Sequence, residues 1–286
     1  MSASFVTRFA PSPTGRLHRG HAYSAVKGFA AARKAGGRFL VRLEDIDATR
    51  CRPEHEAAIF DDLTWLGLTW EQPVRRQSEH LADYEAALES LRARGLVYRC
   101  FRTRKDLAQA ALSAPHGPVE PFRSGPIHPN EEDNWLSEDK PFAWRLSLDA
   151  AHEVLGGFHK LRFDEKGEGP GGEHGRIQAK PELAGDVVLA RKDVGVAYHL
   201  ACVVDDALQG VTDVVRGADL FEACHIQRLL QALLDLPTPT YRHHRLIMDR
   251  TTGERMAKRK GGETLGTLRD AGMTGEQLRA QLGFDW

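Results

Sequence analysis

Hydrophobic and polar positions in the first hundred residues follow two periods, one typical of strands and the other of helices. Short apolar runs rich in β-branched residues, "SFVTRFA" (4–10) and "RFLVRLED" (38–45), predict buried strands. Elsewhere apolar residues recur every three or four positions, which predicts helices. The predicted helices span 18–35, 53–66 and 79–94, and glycines end the first and the third. This alternation predicts a doubly wound α/β unit with a parallel sheet.

The periodic pattern weakens between residues 98 and 180. Two stretches there, 114–134 and 164–175, are rich in Gly, Pro and charged residues and predict long loops. Strand and helix patterns return at 185–206 and 213–235, and "TYRHHRLIMD" (240–249) predicts a strand, followed by a polar loop and two short helices. We therefore predict an α/β core with an inserted α+β subdomain and a short helical tail. The predicted segments are 1–97 and 185–240 for the two halves of the core, 98–184 for the insert and 241–286 for the tail.

The composition, 41% hydrophobic and 28% charged, is that of an ordinary globular protein. The formal net charge is −1, so a nucleic-acid partner would have to contact a local basic patch. No apolar run reaches about 18 residues and the N-terminus lacks the pattern of a signal peptide, which predicts a soluble, cytoplasmic protein. Cysteines occur at positions 51, 100, 202 and 224 and are predicted to be reduced thiols.

Candidate chemistry begins where the first strand meets the first helix, in "RFAPSPTGRLHRGHAYSAV" (8–26). A helix N-terminus presents unpaired N–H groups and a partial positive charge, which makes it a site for phosphate. His18 and His21 can point the same way and donate to phosphate oxygens, and Gly20 lets a ligand approach the backbone. For H-x-G-H alone, a capped turn with solvated histidines is the simpler interpretation. Neither common Gly-rich nucleotide loop is present.

The surrounding residues favour the phosphate interpretation. "RFAPSPTGRLHRGH" resembles the first signature of class I aminoacyl-tRNA synthetases, in the form used by the glutamyl branch, and "RMAKRKG" (255–261) resembles their mobile lysine loop. Further matches lie in order between them, at 40–50, 62–71 and 203–220. Together the five matches are far more specific than any one alone. The resemblance implies a Rossmann-like catalytic core that uses ATP and an amino acid as substrates and tRNA as acceptor.

The resemblance also implies roles in binding L-glutamate. Arg8 and Arg216 are expected to bind its side-chain carboxylate, which suits a guanidinium and would disfavour the neutral amide of glutamine. Glu44 is expected to bind the α-ammonium group, and the Tyr198 hydroxyl the amino acid. The whole predicted glutamate site consists of Arg8, Phe9, Ala10, Pro11, Ser12, Glu44, Tyr198 and Arg216. Without the resemblance, Arg8 could form a surface ion pair, Glu44 a solvated turn, and Tyr198 part of a core.

For ATP, supplied with Mg²⁺ as a substrate, the resemblance implies that His18, Gly20 and His21 hold the phosphates. Lys258 is expected to neutralise the departing pyrophosphate, so that His18, His21 and Lys258 are the candidate catalytic residues. The lysine-loop motif reads Arg255, Met256, Ala257, Lys258 and Arg259. Compared with the family pattern, Arg255 keeps the charge of a lysine, whereas Ala257 lacks the hydroxyl of a serine. A solvated basic loop is the alternative interpretation.

Several relatives hold a structural zinc in the insert, beginning with C-x-C after "LVY". Here Arg102 replaces the second cysteine and the next cysteine after Cys100 is Cys202, so sulfur ligands cannot complete the site. His116 and His128 could in principle substitute, but their spacing does not require it. We therefore predict no zinc or other bound metal. Aromatic packing is expected to support the insert instead, through Phe101, Trp135, Phe142 and Trp144.

Two features favour one branch of the family. Only 25 residues follow Gly261, where glutamyl-tRNA synthetases carry a large anticodon-binding region. "GAD" after Arg216 resembles the shorter glutamyl-queuosine tRNA(Asp) synthetases. This implies a monomeric enzyme that glutamylates the queuosine base at the wobble position of tRNA(Asp). The alternatives are a truncated glutamyl-tRNA synthetase that charges the 3′ end of tRNA(Glu), a non-catalytic tRNA-binding paralogue, and a small-molecule ligase or nucleotidylyltransferase.

Overall fold

The computed structural model describes residues 4–102, 122–191, 195–247 and 263–286. The strands in these ranges are β1 (Val6–Phe9), β2 (Arg38–Leu43), β3 (Arg75–Arg76), β4 (Val97–Cys100), β5 (Ala143–Leu146), β6 (Arg162–Glu165), β7 (Gly175–Gln178), β8 (Val188–Arg191), β9 (Gly195–Val196), β10 (Asp213–Gly217) and β11 (Thr240–His244). The helices are α1 (Arg19–Lys34), α2 (Pro53–Trp65), α3 (Leu81–Ala93), α4 (Pro129–Ser137), α5 (Leu148–Leu155), α6 (Tyr198–Leu208), α7 (Ala223–Leu233), α8 (Leu265–Asp270) and α9 (Gly275–Gln281). None of the helices in the described ranges is long and apolar enough to span a bilayer.

Parallel strands form the centre of the molecule. β1 pairs with β2, and β2 with β3. β10 pairs with β11 in a register that places Arg216 beside His243. β10 lies next to β1, since the N–H of Thr212 donates to the carbonyl of Val6 at 2.9 Å. The predicted α/β core with a parallel sheet is therefore confirmed, and the carboxyl ends of β1, β10 and β11 share one edge.

Helix α1 begins and ends within one residue of its predicted bounds. Its buried face repeats at helical spacing and packs into a hydrophobic core with β1 and β2; its buried residues are Ala22, Ala25, Val26, Gly28, Phe29 and Ala32. His18 caps the N-terminus and Ala35 the C-terminus, after which Gly36 turns the chain with a φ of 61°. The helix thereby directs its N-terminus toward the carboxyl end of β1.

The region predicted as an insert contributes to two sheets. β4, β5, β8 and β9 form an antiparallel sheet, which crosses the predicted border at residue 184. The hairpin of β6 and β7 instead extends the parallel sheet, because β6 pairs with β11 at Glu165 and Tyr241. The division into segments stays a prediction.

The loop predicted over 114–134 is wrong in its last part, because α4 begins at Pro129. The ring of His128 accepts the N–H of Asn130, proline is tolerated in the first turn, and Glu131 and Glu132 favour a helix N-terminus. These signals outweigh the Gly- and Pro-rich composition of the preceding residues.

Aromatic packing in the insert is confirmed. Phe101 lies against Trp135 and Phe142, with ring centroids 5.0 and 5.6 Å apart, and Phe142 lies 5.5 Å from Trp144. The Arg99 guanidinium also covers Trp144 at 4.7 Å. His116 lies outside the described residues, so the prediction that the insert binds no zinc stays a prediction.

Candidate active site

A cleft of about 520 Å³ opens at the carboxyl ends of β1, β10 and β11, beside the N-terminus of α1. Ligands of open α/β sheets bind at this edge. The cleft is lined by every candidate site residue in the described ranges: Arg8, Phe9, Ala10, Pro11, Ser12, His18, Gly20, His21, Glu44, Tyr198 and Arg216. The predicted lysine-loop residues 255–259, with Lys258, lie outside the described residues. Folding thus gathers candidates from both predicted halves of the core.

The first turn of α1 orients His18 and His21 together. Nδ1 of His18 accepts the N–H of Gly20 at 3.1 Å, and the N–H of His18 donates to Nδ1 of His21 at 3.3 Å. The ring centroids are 3.8 Å apart. Because each Nδ1 accepts a backbone N–H, each neutral ring carries its proton on Nε2 and is a hydrogen-bond donor there. The rings point the same way, as their spacing predicts.

Gly20 has a local reason to lack a side chain. A Cβ atom at this position would lie 3.0 Å from Cε1 and 3.1 Å from Nδ1 of His18. Glycine therefore leaves room for the ring that caps the helix. The sequence suggested only that Gly20 lets a ligand approach, and its place in the cleft wall is compatible with both uses.

Arg8, at the carboxyl end of β1, is buried and paired with a carboxylate. Its Nε and Nη2 donate to Oδ1 and Oδ2 of Asp206 at 2.9 and 3.3 Å. Nη1 of Arg42, which is fully buried, donates to the same Oδ1 at 2.7 Å. Burial alone would raise the pKa of Asp206, but the two guanidinium groups outweigh it and lower the pKa to about 2. Asp206 is therefore ionised and holds both arginines.

Glu44 follows β2 and contributes a carboxylate to the cleft. Its side chain is 12% exposed, and its Oε1 lies 3.3 Å from Nη2 of Arg42. Burial raises the pKa of Glu44, and the charges of Arg42 and Arg8 offset that shift only in part. Arg42 thus connects Glu44 to Asp206, so that the acidic and basic residues of this wall form one buried network.

The next two acids along the chain have structural partners. Asp45 accepts the N–H and the hydroxyl of Ser78 at 2.9 and 2.6 Å. Asp47 accepts from Nε of Arg50 at 2.6 Å. These contacts brace the turn that carries Glu44.

Arg216, at the end of β10, is as buried as Arg8 but has different partners. Its hydrogen bonds run to Tyr198 Oη (3.3 Å), His243 Nε2 (3.1 Å), the Leu220 carbonyl (3.1 Å), Cys224 Sγ (2.9 Å) and Gln227 Oε1 (3.0 Å). Burial raises the pKa of Tyr198, which keeps its phenol neutral. Among the residues that the structure describes, no carboxylate is directly bonded to Arg216. A buried guanidinium with neutral partners provides a site for an anionic ligand.

Behind Arg216, a buried carboxylate contacts the other side of His243. Nδ1 of His243 lies 2.5 Å from Oε2 of Glu165, and Oε1 of Glu165 accepts the backbone N–H groups of His243 and Gly167 at 2.9 and 2.7 Å. Burial lowers the pKa of His243. Burial would raise the pKa of Glu165, but its bonds to His243 and Gly167 lower it. The pair is therefore a neutral imidazole and a carboxylate.

Nine residues line the cleft in addition to the predicted site residues: Thr14, Ser24, Val215, Gly217, Asp219, Leu220, His244, Leu246 and Ile247. Of these, Gly217 and Asp219 belong to the "GAD" triplet. Ser24 lies on the face of α1 that carries Gly20 and His21, so helical spacing could have identified it. Nδ1 of His244 donates to the Arg245 carbonyl at 3.0 Å, and its Nε2 lies 2.9 Å from Ser24 Oγ. Burial lowers the pKa of His244 to about 4, so its ring is neutral at pH 7.

Comparison with known protein families identifies the chain. Residues 4–283 match the family model of the catalytic domain of class I tRNA synthetases for glutamate and glutamine. The chain belongs to this family. It is therefore an enzyme, a ligase of the aminoacyl-tRNA synthetase type.

Individual relatives agree with this assignment. A protein of Rhodobacter capsulatus named "Glutamyl-Q tRNA(Asp) synthetase" is 45% identical over 98% of this chain and 100% of its own length. "Glutamate--tRNA ligase 1" of Paracoccus denitrificans is 36% identical over 97% of this chain, which spans 60% of that ligase. The solved glutamate tRNA ligase of Elizabethkingia meningosepticum shares the fold, with a TM-score of 0.80 over 98% of this chain and 60% of its own, at 24% identity.

Proposed function

We propose that this enzyme activates L-glutamate with ATP and transfers the glutamyl group to the queuosine base at the wobble position of tRNA(Asp). The name of the Rhodobacter relative, which matches over its whole length, supports this acceptor. The observation that carries the amino-acid part is Arg216. Its buried charge, with neutral groups as its direct partners, fits a ligand that brings its own carboxylate.

Glutamate would bind by its two charged ends. Arg216, aided by the Tyr198 hydroxyl, would hold the side-chain carboxylate, and Glu44 the α-ammonium group. Arg8 would add positive charge to the pocket while it stays paired with Asp206. The segment Phe9 to Ser12, which lines the cleft, would form the wall beside the substrate. Glutamine would bind poorly, because its amide N–H₂ would face the guanidinium of Arg216.

The α-carboxylate of glutamate would attack the α-phosphorus of ATP. A carboxylate–phosphate bond forms, the bond between the α- and β-phosphates breaks, and pyrophosphate leaves. His18 and His21 would donate from Nε2 to phosphate oxygens, at a helix N-terminus that favours negative charge. Lys258, in the predicted lysine loop 255–259, would neutralise the departing pyrophosphate.

Magnesium would enter with the nucleotide. Among the described ranges of the chain, no group of three or more His, Cys, Asp or Glu side chains could hold a metal ion. Because Mg²⁺ in nucleotide sites is held largely by phosphates and water, MgATP is the fitting substrate.

In the second step a hydroxyl of the queuosine cyclopentene diol would attack the glutamyl carbonyl. An ester bond forms, the proton of the hydroxyl passes to a phosphate oxygen of the leaving AMP, and AMP leaves with the electrons of the broken acyl–phosphate bond. The diol offers neighbouring hydroxyls, as the terminal ribose of a tRNA does.

Aminoacylation with labelled glutamate tests the acceptor. Three tRNAs are compared: tRNA(Asp) with queuosine, tRNA(Asp) with guanine at the same position, and tRNA(Glu). We expect label on the first alone, and on its anticodon fragment after ribonuclease digestion. Label on the 3′ end of tRNA(Glu) would replace the proposal with a synthetase that charges tRNA(Glu). A lack of glutamate-dependent exchange of pyrophosphate into ATP would reject the activation step.

A further inference from the structure

The buried charge of Arg216 must be balanced within the protein when no substrate is bound. A buried cation without a counter-charge is costly, and the groups bonded directly to Arg216 in the described ranges are neutral. Within those ranges, hydrogen bonds connect this guanidinium to a carboxylate only through His243, which bonds to Glu165. Both side chains have 0% exposure.

The hydrogen bonds fix the position of each proton along this path. Nε of Arg216 always carries a proton, so it donates to Nε2 of His243. The imidazole proton therefore sits on Nδ1 and is donated to Oε2 of Glu165. Oε1 of Glu165 accepts two backbone N–H groups. The hydrogen-bond partners of this carboxylate among the described residues are thus all donors, which suits its ionised form.

We propose that Glu165 and His243 are positioning residues for glutamate recognition. The hydrogen-bonded series Arg216–His243–Glu165, here called the relay, balances the charge of the Arg216 guanidinium and orients it. The relay leaves the other face of the guanidinium for the carboxylate of the substrate. A carboxylate placed directly on Arg216, as Asp206 is placed on Arg8, would compete with glutamate for the same donors. This inference rests on the proposed role of Arg216 in binding the side chain of glutamate.

The relay gives part of the predicted insert a role in amino-acid specificity. Glu165 ends β6, which belongs to the segment predicted as an insert, yet it reaches Arg216 because β6 pairs with β11 at this residue. His243 lies beside Arg216 in the parallel register of β10 and β11. Specificity would therefore depend on the junction of the β6–β7 hairpin with the core sheet.

The variant Glu165→Gln tests the relay through the tautomer of His243. The amide oxygen must occupy the Oε1 position, because two backbone N–H groups donate there. The amide N–H₂ then faces Nδ1 of His243 and donates to it, so the ring proton moves to Nε2 and opposes the N–H of Arg216. Spectra of ¹⁵N-histidine-labelled protein should show this change of tautomer, with the signal assigned by its loss in His243→Gln.

Kinetics of glutamate-dependent pyrophosphate exchange supply the second readout. We expect Glu165→Gln to raise KM for glutamate by roughly 10-fold or more, while KM for ATP stays unchanged. The matched control is Glu168→Gln, which removes the same charge from an exposed position three residues away and should change neither value. Glu165→Asp keeps the charge and should restore the wild-type tautomer and much of the affinity for glutamate.

The outcomes separate this inference from the proposed function. If the wild-type enzyme does not use glutamate, the proposed function fails, whatever the tautomer. If the wild type uses glutamate but Glu165→Gln keeps its KM, or keeps the proton on Nδ1, the relay is rejected. If Glu165→Gln does not fold, an unchanged KM for glutamate in His243→Asn would reject the relay in its place.

Discussion

The two arginines of the cleft are equally buried but are neutralised in different ways. Arg8 bonds directly to the carboxylate of Asp206, whereas Arg216 bonds to neutral groups and reaches Glu165 only through an imidazole. A direct carboxylate uses the donors of a guanidinium, and a relayed one leaves some of them for a ligand. The comparison suggests that the Arg8 side of the cleft serves mainly the fold and the Arg216 side mainly recognition.

The connections made by Asp206 agree with a structural role. It joins Arg8 of β1 and Arg42 of β2 to helix α6, across 198 and 164 residues of sequence. Its neighbour Asp205 binds Arg75 and the hydroxyl of Tyr84 at 2.6 and 2.8 Å. Two adjacent acids of one helix thereby hold the first part of the chain against the second.

Removal of Asp206 gives the largest expected effect. Asp206→Asn leaves Arg8 and Arg42 buried without their shared charge, which should lower the free energy of unfolding by about 3–5 kcal/mol. Urea denaturation measures this. The control is Glu71→Gln, which breaks an exposed ion pair: the side chains of Arg38 and Glu71 are 49% and 43% exposed. The free energy of unfolding should therefore fall by less than about 1 kcal/mol. Equal losses in the two variants would contradict a structural role for the buried network.

Removal of Arg216 should strongly lower glutamate activation. Arg216→Ala removes the proposed partner of the substrate carboxylate, which should cost about 2–5 kcal/mol, or roughly 30- to 4,000-fold in kcat/KM for glutamate. Pyrophosphate exchange measures the ratio. Arg242→Ala is the control, because Arg242 on the adjacent strand pairs with Asp213 and does not line the cleft. Wild-type glutamate activation by Arg216→Ala would refute the assigned pocket.

Local signals were enough to predict the elements around the cleft. The bounds of α1 depend on its apolar period, its capping histidine and a following glycine, all of which lie within the helix or next to it. The opening signature likewise places Arg8, His18 and His21 at the carboxyl end of a strand and the start of a helix. These features need no knowledge of distant residues, so the sequence alone predicts them.

The charged partners behind the cleft could not be predicted in this way. Glu165 lies 78 residues from His243, in a stretch whose composition predicts a loop, and its place depends on a single strand register. For Asp205 and Asp206 the sequence does indicate buried ion pairs. These two acids directly follow the apolar run "LACVV", and acids on a buried helix need cationic partners. The sequence does not say which arginines those partners are.

The pKa of Asp206 predicts how acid changes the stability that the Arg8 side of the cleft gives to the fold. Its pKa of about 2 in the folded protein is depressed from the ordinary value of 3.8. The stabilisation of the fold by ionised Asp206 is therefore complete above about pH 4 and is lost as the pH falls through 2. The free energy of unfolding decreases by about 2 kcal/mol in all. Urea titrations at pH 7 and near pH 2.5 should show the difference in stability between wild type and Asp206→Asn shrink by most of that amount. A difference independent of pH would mean that the ionised form of Asp206 is not the one that stabilises the fold.

The smallest expected effect compares two glutamines, one bonded to Arg216 and the other to Arg42 of the Asp206 network. Gln227 Oε1 accepts from Nη2 of Arg216 at 3.0 Å, and Gln209 Oε1 accepts from Nη1 of Arg42 at 3.1 Å. Gln227→Ala removes one of several acceptors that orient Arg216, so KM for glutamate should rise about 2- to 10-fold, in line with one hydrogen bond of about 0.5–1.5 kcal/mol. Because Gln227 is 1% exposed, Gln227→Ala also lowers the free energy of unfolding, and the two variants are compared by KM. Gln209→Ala should lower the free energy of unfolding slightly and leave KM for glutamate unchanged. If Gln209→Ala raised KM as much as Gln227→Ala does, the division between the structural network of Arg8 and Arg42 and the recognition arginine Arg216 would be wrong.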